Sequence, residues 1–399
     1  MTKPAGPGLL DALSFVVEAV DELVVGALRD THRAVADRVH GLLLRTTGDL
    51  GALPVALHRE AAAGVYDGIG LGLRAAGTGL GIAGRAGLGP RLESHPAGRR
   101  SSAAVNGILG DRLRDQRPGL AIPMAVRVDD ADVALDPGAL AAAFPDATGR
   151  VVVFLHGLSE DEHSWDRHRE RHGTTYGEGL ADEGWTPVFL RANSGLPVRE
   201  NGAALASLLQ NLTDAWPVDL DRLALVGHSM GGLVIRSACS VLTAADRPWA
   251  ERVTDVVTLG TPHLGAPLAA GVGTGATALA RLPETAALGR ILDWRSLGVR
   301  DLVEGLGEDV PALPHARYRL VHGTLTASPR HPVGRFLGDL MVRVPSASGR
   351  GRLITLFPDA EVLHLPRAGH FALLNEPRVH EALRGWLSPA AGSGDPGHR

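Results

Sequence analysis

A mostly parallel α/β sheet with helices on both faces is the fold class this sequence predicts, and three observations carry the prediction. Val151-Val152-Val153-Phe154-Leu155 is an unbroken apolar run, as expected of a parallel strand buried on both faces. Short apolar runs recur at 187–190, 223–226, 253–259, 318–321 and 362–365, each the length of a strand. Helical periodicity fills several of the intervals, at 200–216, 229–243 and 376–387. Strands alternating with helices indicate crossover connections and hence a doubly wound sheet.

The chain ahead of that sheet has a different texture. Leu9, Leu13, Val16, Val17, Val20, Leu23, Val24 and Leu28 recur at helical spacing between charged positions, predicting an amphipathic helix or helical pair over residues 8–46. Packing against the body of the protein is the plainer use of that apolar face; peripheral contact with a membrane, lipid or partner is the sharper one. Residues 64–90 are rich in glycine and small apolar residues, consistent with closely packed helices or an apolar flap. Their Gly-x-Gly matches follow no strand, which argues against a dinucleotide site. Ser, Pro, Gly and Arg cluster at 91–102 as a linker would. Val126, Val128 and Val133 alternate with polar residues, predicting an edge hairpin within 124–135. Nearly 60 residues of helical texture separate the strand ending at Leu259 from the one at Tyr318, with Leu279, Leu282, Leu288, Ile291, Leu292, Trp294 and Leu297 at apolar positions. The expected organisation is a helical extension over 1–115, an α/β domain over 116–388 with a cap-like insertion at 264–315, and a flexible tail over 389–399.

Composition narrows the function classes. The 399 residues are 44% hydrophobic, enough for a large core, and the net charge of −4 with only 4% aromatics argues against nucleic-acid binding. The single cysteine, Cys239, excludes an internal disulfide, fits a reducing compartment and reads as a small core residue. Asp11, Glu18, Asp21 and Glu22 interrupt the first apolar run, which therefore does not resemble an export signal. No window of about 18 apolar residues free of charge predicts a transmembrane span. A cytoplasmic location is the expectation.

Chemistry concentrates at Gly227-His228-Ser229-Met230-Gly231. A serine is a poor nucleophile at its own pKa and needs exposure beside a base and near backbone N–H donors. A strand, a sharp turn with Ser229 at its tip and a helix opening on glycine supply that geometry. In a chain with 51 glycines the pattern alone is weak, so its surroundings decide. Active-site residues of a parallel sheet gather beyond the carboxyl ends of strands. His156-Gly157-Leu158 follows the 151–155 strand, so the backbone N–H groups of Leu158 and Met230 are the expected oxyanion donors. His370 lies in the loop after the last strand, where a general base belongs, whereas His364 falls inside that strand and reads as structural. The third member should be an acid between Ser229 and His370 in chain order. Asp339 leads, Asp359 is its main rival, and Asp301 falls in the helical insertion. His168-Arg169-Glu170-Arg171-His172 sets two histidines four apart, but Arg stands where the zinc-protease motif has Glu, so a solvated helix face is expected rather than a metal site.

Together His156-Gly157, Gly227-His228-Ser229-Met230-Gly231, Leu259-Gly260-Thr261-Pro262-His263-Leu264-Gly265-Ala266 and Gly369-His370 resemble the α/β-hydrolase lipases and esterases, in particular the branch similar to GPI inositol-deacylases. The resemblance covers about residues 148–388. Gly338-Asp339 followed by apolar residues and Pro345-Ser346 is similar to the segment carrying the acid in such lipases, which favours Asp339. What it implies is an α/β-hydrolase fold, a Ser229, His370 and Asp339 triad, and hydrolysis of a small-molecule or lipid ester through an acyl-serine, with no metal or organic cofactor. Leu158, His228 and Leu264 border these motifs and are the candidate substrate-binding residues. The first 115 residues look like the helical extension of some actinobacterial esterases, a likeness that assigns them no role. An acyltransferase or thioesterase on the same triad is a second reading. A scaffold protein with an inactive hydrolase domain is a third, against which the intact triad speaks.

Overall fold

The computed structural model describes residues 7–241, 248–266, 296–307, 309–331, 334, 338–351 and 353–388. The expected tail at 389–399 and residues 267–295 of the expected cap lie outside them. The described residues form two compact units, one of residues 7–102 and 112–121, the other of 103–111, 122–266 and 296–388.

The first unit is helical. Helix α1 (Leu9–Val20) runs through a π-helical turn at Asp21–Val25 into α2 (Gly26–Thr47), and α3 spans Ala52–Arg85. The glycine-rich stretch is therefore helix, despite the cost of glycine there, roughly 1 kcal/mol each against alanine. The glycines toward α1 explain themselves by close approach. A Cβ on Gly84 would stand 2.6 Å from the Asp11 carboxyl carbon, and one on Gly81 3.1 Å from Ser14 Oγ. Ser14 Oγ donates to the Gly77 carbonyl at 2.8 Å across the same seam. Gly68, Gly72 and Gly79 face open space, and nothing in the structure explains them. The stretch expected as a linker is instead a 3₁₀ turn (Leu92–Ser94) leading into α4 (Pro96–Gln116). Proline fits the first helical turn, where its missing N–H is no loss, and His95 Nδ1 caps the helix by accepting from Ala97 N–H at 3.2 Å.

The second unit holds one eight-stranded sheet. Strands β1 (Ala125–Val128), β2 (Ala131–Val133), β3 (Arg150–Leu155), β4 (Thr186–Arg191), β5 (Arg222–His228), β6 (Val253–Leu259), β7 (Arg317–Thr324) and β8 (Glu361–Pro366) stand in the order β2-β1-β4-β3-β5-β6-β7-β8. From β4 to β8 all neighbours are parallel, while β1 is antiparallel to both β2 and β4. The expected edge hairpin is thus β1–β2, closed by Asp129 and Asp130 with φ of 47° and 62°. That backbone matches the right-handed twist of the flanking strands. The interior strands bury both faces, as continuous apolar runs require: Val151 through Leu155 are each at most 1% exposed. One side of the sheet packs on Trp165, Tyr176, Leu180 and the last helix, Pro377–Leu387, through Val379, Leu383 and Leu387. Helix Val198–Ala215 buries Leu205, Leu209 and Leu212, each such side chain worth about 1.5–3 kcal/mol on removal from water. It lies so close to helix Met230–Cys239 that a Cβ on Gly202 would meet Ser237. Cys239 is buried in the latter helix, and burial pushes its thiol up to about 12, so it behaves as the small core residue expected.

This layering brings four loops together. Registers pair Leu155 with Gly227, His228 with Leu259, Leu259 with Val321, and Thr324 with Pro366, so the turns after β3, β5, β6 and β8 leave the same edge of the sheet.

Candidate active site

Ser229 follows the last residue of β5 and caps the helix Met230–Cys239, with φ 51° and ψ −121°. A non-glycine residue there is strained, and the strain is what turns the chain from strand to helix within one residue. Its neighbours are glycine because nothing larger fits. A Cβ on Gly227 would lie 2.6 Å from Gly232 N, and one on Gly231 2.4 Å from the Leu155 carbonyl oxygen. The strained turn is held from both sides. Ser229 N–H donates to the Leu259 carbonyl at 2.8 Å, and Thr261 Oγ1 donates to the Ser229 carbonyl at 2.9 Å. This gives the Gly260-Thr261 pair a physical role. Gly232 leaves room for the threonine hydroxyl, and Gly260, at φ +61°, leaves room for His370, since a Cβ there would lie 3.0 Å from the His370 Cε1.

His370 opens a 3₁₀ turn after β8 and is 4% exposed. Its Nδ1 is 2.8 Å from Asp339 Oδ2, and its backbone N–H donates to the Asp339 carbonyl at 3.0 Å. The other carboxylate oxygen, Asp339 Oδ1, accepts from the N–H groups of Met341 (3.0 Å) and Val342 (2.8 Å). Asp339 is thereby fixed in the orientation that places the imidazole proton on Nδ1. His370 Nε2 is buried and has no hydrogen-bond partner among the described residues, so its lone pair is free to take a proton. Between the two rival acids the geometry is clear. Asp339 holds His370, whereas Asp359 is exposed and precedes β8, at the opposite edge of the sheet. Asp301 accepts from Val198 N–H at 2.7 Å and serves the amino end of the helix Val198–Ala215.

The two expected oxyanion donors lie in the turns after β3 and β5. Neither the Leu158 nor the Met230 backbone N–H donates to another described residue. His156 Nε2 accepts from Ala192 N–H at 3.0 Å, which places the proton on Nδ1, and Nδ1 donates to the Gly157 carbonyl at 2.8 Å. A trans peptide points C=O and N–H in opposite directions, so drawing the Gly157 carbonyl toward His156 turns the Leu158 N–H away from it.

A residue the sequence reading missed lies in the same turn. Glu160 is buried, and its Oε2 accepts from Gly157 N–H at 2.8 Å while standing 2.8 Å from His228 Nδ1. Burial alone would raise its pKa, but the His228 charge and hydrogen bond, the Gly157 N–H and His156 outweigh that and bring it down to about 2. The only hint in the sequence is an acid two residues beyond Leu158, in a turn where backbone N–H groups need acceptors. His228 lies against the base, the two imidazole centroids 4.9 Å apart. Leu264 is half-buried, and Ser346 Oγ accepts its N–H at 3.1 Å while donating to the Gly265 carbonyl at 2.7 Å. That hydroxyl ties the Gly-Thr-Pro-His loop to the segment following Asp339. His263 is fully buried beside Thr258 and Phe357, and burial depresses its pKa to about 3. His364 lies within β8, with Nε2 2.8 Å from Thr324 Oγ1, as a structural histidine would.

Other histidines do not join this group. His168 stands outside its expected helix at φ 66°, ahead of a helix of only four residues, Arg169–His172; its ring lies 6.2 Å from that of His172, and its Nε2 is 3.3 Å from the Phe371 carbonyl. The left-handed residue at 168 and Gly173 at φ 78° confine the helix to one turn. Among the described residues Asp130, Glu162 and His163 are close enough to share an ion. Arg127 Nε is 2.7 Å from Glu162 Oε1 and Arg127 also pairs with Asp132, so the Glu162 carboxylate is already matched by a guanidinium.

Residues 202–276 match the model of the family described as PGAP1-like alpha/beta domain. Among solved structures, the mature form of the Bacillus licheniformis lipase BlEst2 is 22% identical, over 60% of this chain and 92% of its own, with a TM-score of 0.42. The propeptide form of the same lipase is 22% identical over 64% of this chain, with a TM-score of 0.45, and the chain spans about half of that form, 53%. A thermophilic esterase from Thermogutta terrifontis is 18% identical over 60% of this chain and 90% of its own, with a TM-score of 0.37. No curated protein sequence matches the chain. The sheet order, the strand-turn-helix at Ser229 and the matched segment make the protein an α/β hydrolase in fold. No described helix is long and apolar enough to cross a membrane.

Proposed function

We propose that the protein is a serine hydrolase of carboxylic esters, with Ser229 as nucleophile, His370 as general base and Asp339 as the acid that orients it. The observation carrying this reading is the buried 2.8 Å contact from His370 Nδ1 to Asp339, with Nε2 unpartnered at the same sheet edge as the strained Ser229. In the reaction, His370 Nε2 takes the Ser229 proton as Oγ attacks the ester carbonyl. The backbone N–H groups of Leu158 and Met230 receive the oxyanion, and the protonated His370 gives its proton to the departing alkoxide. Water activated by the same nitrogen then releases the acid and restores the serine.

A lipid-like ester is the favoured substrate class. Leu340 and Met341, directly after the acid, and Phe371, directly after the base, are 56%, 38% and 41% exposed, so an acyl chain reaching the serine meets apolar surface. The segment 264–315 is assigned as the cap and residues 1–115 as an extension with apolar side chains toward solvent, among them Leu42, Leu53 and Leu57, suited to peripheral lipid contact. Fluorophosphonate labelling tests the chemistry: the folded protein labels at Ser229 and Ser229→Ala does not. Nitrophenyl esters of increasing acyl length test the substrate class, and a steep preference for acetyl over octanoyl would defeat the lipid assignment. Product analysis with and without added alcohol separates hydrolysis from acyl transfer.

A further inference from the structure

We propose that Glu160 is a positioning residue that clamps the turn after β3 to the serine elbow through His228, holding the Leu158 N–H where the oxyanion forms; this rests on the hydrolase reading. One carboxylate oxygen, Glu160 Oε2, takes both the Gly157 N–H and His228 Nδ1, each at 2.8 Å. Gly157 belongs to the turn that offers the first oxyanion donor, and His228 is the residue before the nucleophile. No other side chain among the described residues bonds to both turns in this way.

The two turns meet without slack. A Cβ on Gly157 would stand 3.0 Å from both Ser229 Cβ and Glu160 Oε2, and 3.3 Å from His228 Nδ1. The peptide that follows is fixed by its carbonyl, which accepts from His156 Nδ1–H at 2.8 Å and from Glu160 N–H at 3.4 Å. Glu160 therefore grips Gly157 on both sides of its Cα, through its side chain on the Gly157 N–H and, more weakly, its main chain on the carbonyl of the Gly157-Leu158 peptide. Backbone donors stabilise a tetrahedral intermediate only when aimed at its oxygen, so an error in their placement raises the barrier more than it weakens substrate binding. An ionised carboxylate accepts two N–H bonds from one oxygen far better than an amide does, because the bonds are charge-assisted. Glu160→Gln keeps the shape and removes that charge.

The experiment compares wild type, Glu160→Gln and Glu160→Asp with 4-nitrophenyl butyrate and its thionoester, alongside thermal melting. A thiono sulfur fits an oxygen-shaped donor pair poorly, so the oxo-to-thiono rate ratio reads the hole itself. The expected result for Glu160→Gln is a kcat reduced roughly 10- to 100-fold with KM within about two-fold, and an oxo-to-thiono ratio reduced by a similar factor. Glu160→Asp, which keeps the charge on a shorter reach, recovers part of both. An active wild type whose Glu160→Gln variant keeps its kcat and its ratio overturns this proposal alone. So does a variant that loses kcat while the ratio stays at the wild-type value, since that is a structural defect. A folded wild type that neither hydrolyses the ester nor labels at Ser229 overturns the hydrolase reading and this proposal with it. Should Glu160→Gln fail to fold, His228→Asn removes the other half of the clamp and is judged by the same ratio.

Discussion

Two buried carboxylate–histidine pairs lie within one ring contact of each other, and they are built differently. In Asp339–His370 the acid is saturated: Oδ1 takes two backbone N–H groups, Oδ2 takes the imidazole, and the histidine keeps one unpartnered nitrogen. In Glu160–His228 one oxygen serves two partners on two different loops, while Oε1 is buried with no partner among the described residues. Both histidines keep a buried Nε2 without a partner among the described residues, so the contrast lies in the acids, and the first arrangement orients one ring. The second joins two segments of backbone. Equal distances of 2.8 Å thus serve unequal ends, and what separates them is where the remaining valences of each acid go.

The largest expected effect breaks the first pair. Asp339→Asn permits the wrong imidazole tautomer, with the proton on Nε2, and kcat should fall on the order of 10⁴-fold with little change in KM. Asp359→Asn should leave kcat within about two-fold. Steady-state kinetics of both variants would reverse the assignment of the acid if the two losses were exchanged.

The turn shared by the nucleophile and the base comes next. Thr261→Val removes the side-chain donor from the buried Ser229 carbonyl, which keeps the Gly232 N–H at 3.1 Å, and should cost about 0.5–1.5 kcal/mol in denaturant unfolding. Gly260→Ala places a methyl against His370 at a left-handed backbone position. The backbone term alone is about 1–2 kcal/mol, and displacement of the ring should lower kcat further. A Gly260→Ala enzyme with wild-type kcat would show that the ring has room the geometry denies it.

The sheet was legible because buried parallel strands are continuous apolar runs: every strand expected from 151 onward is present, displaced by a few residues at most. The site was legible where chemistry confines residue type at a turn, as at Ser229, His370 and the Gly-Thr-Pro-His run. Glu160 was not, because a lone acid in a polar turn has no sequence signature until a facing histidine gives it a partner. The 34-residue helix α3 was legible only as one of two alternatives, because its glycines fit closely packed helices or an apolar flap until α1 is seen lying against Gly77, Gly81 and Gly84. The 91–102 segment read as linker from composition, and a proline at the first helical position with a histidine cap made it the start of α4.

The smallest effect sharpens the second pair through pH. Glu160 titrates near pH 2 when folded and near 4.5 when unfolded, so between those values the unfolded chain binds the extra proton. Its contribution to stability is complete above about pH 4.5 and fades as pH falls toward 2. His263 and His322 add a separate slope at higher pH. Burial lowers them to about 3 and about 4, with His364 also acting on His322, against an unfolded value of 6.5. Between pH 6.5 and about 4 both stay largely neutral in the folded protein while the unfolded imidazoles charge, so stability also declines as pH falls across that range. Glu160→Gln retains the histidine slope and lacks the carboxylate one. Denaturant unfolding at pH 7, 5, 4 and 3 should therefore show a constant gap between wild type and Glu160→Gln down to pH 5. Below that the gap should narrow by up to about 1.4 kcal/mol per pH unit. A gap still constant at pH 3 would mean that Glu160 takes its proton at an ordinary carboxylate pH, and that the two bonds to its Oε2 do not favour the ionised form in the folded protein.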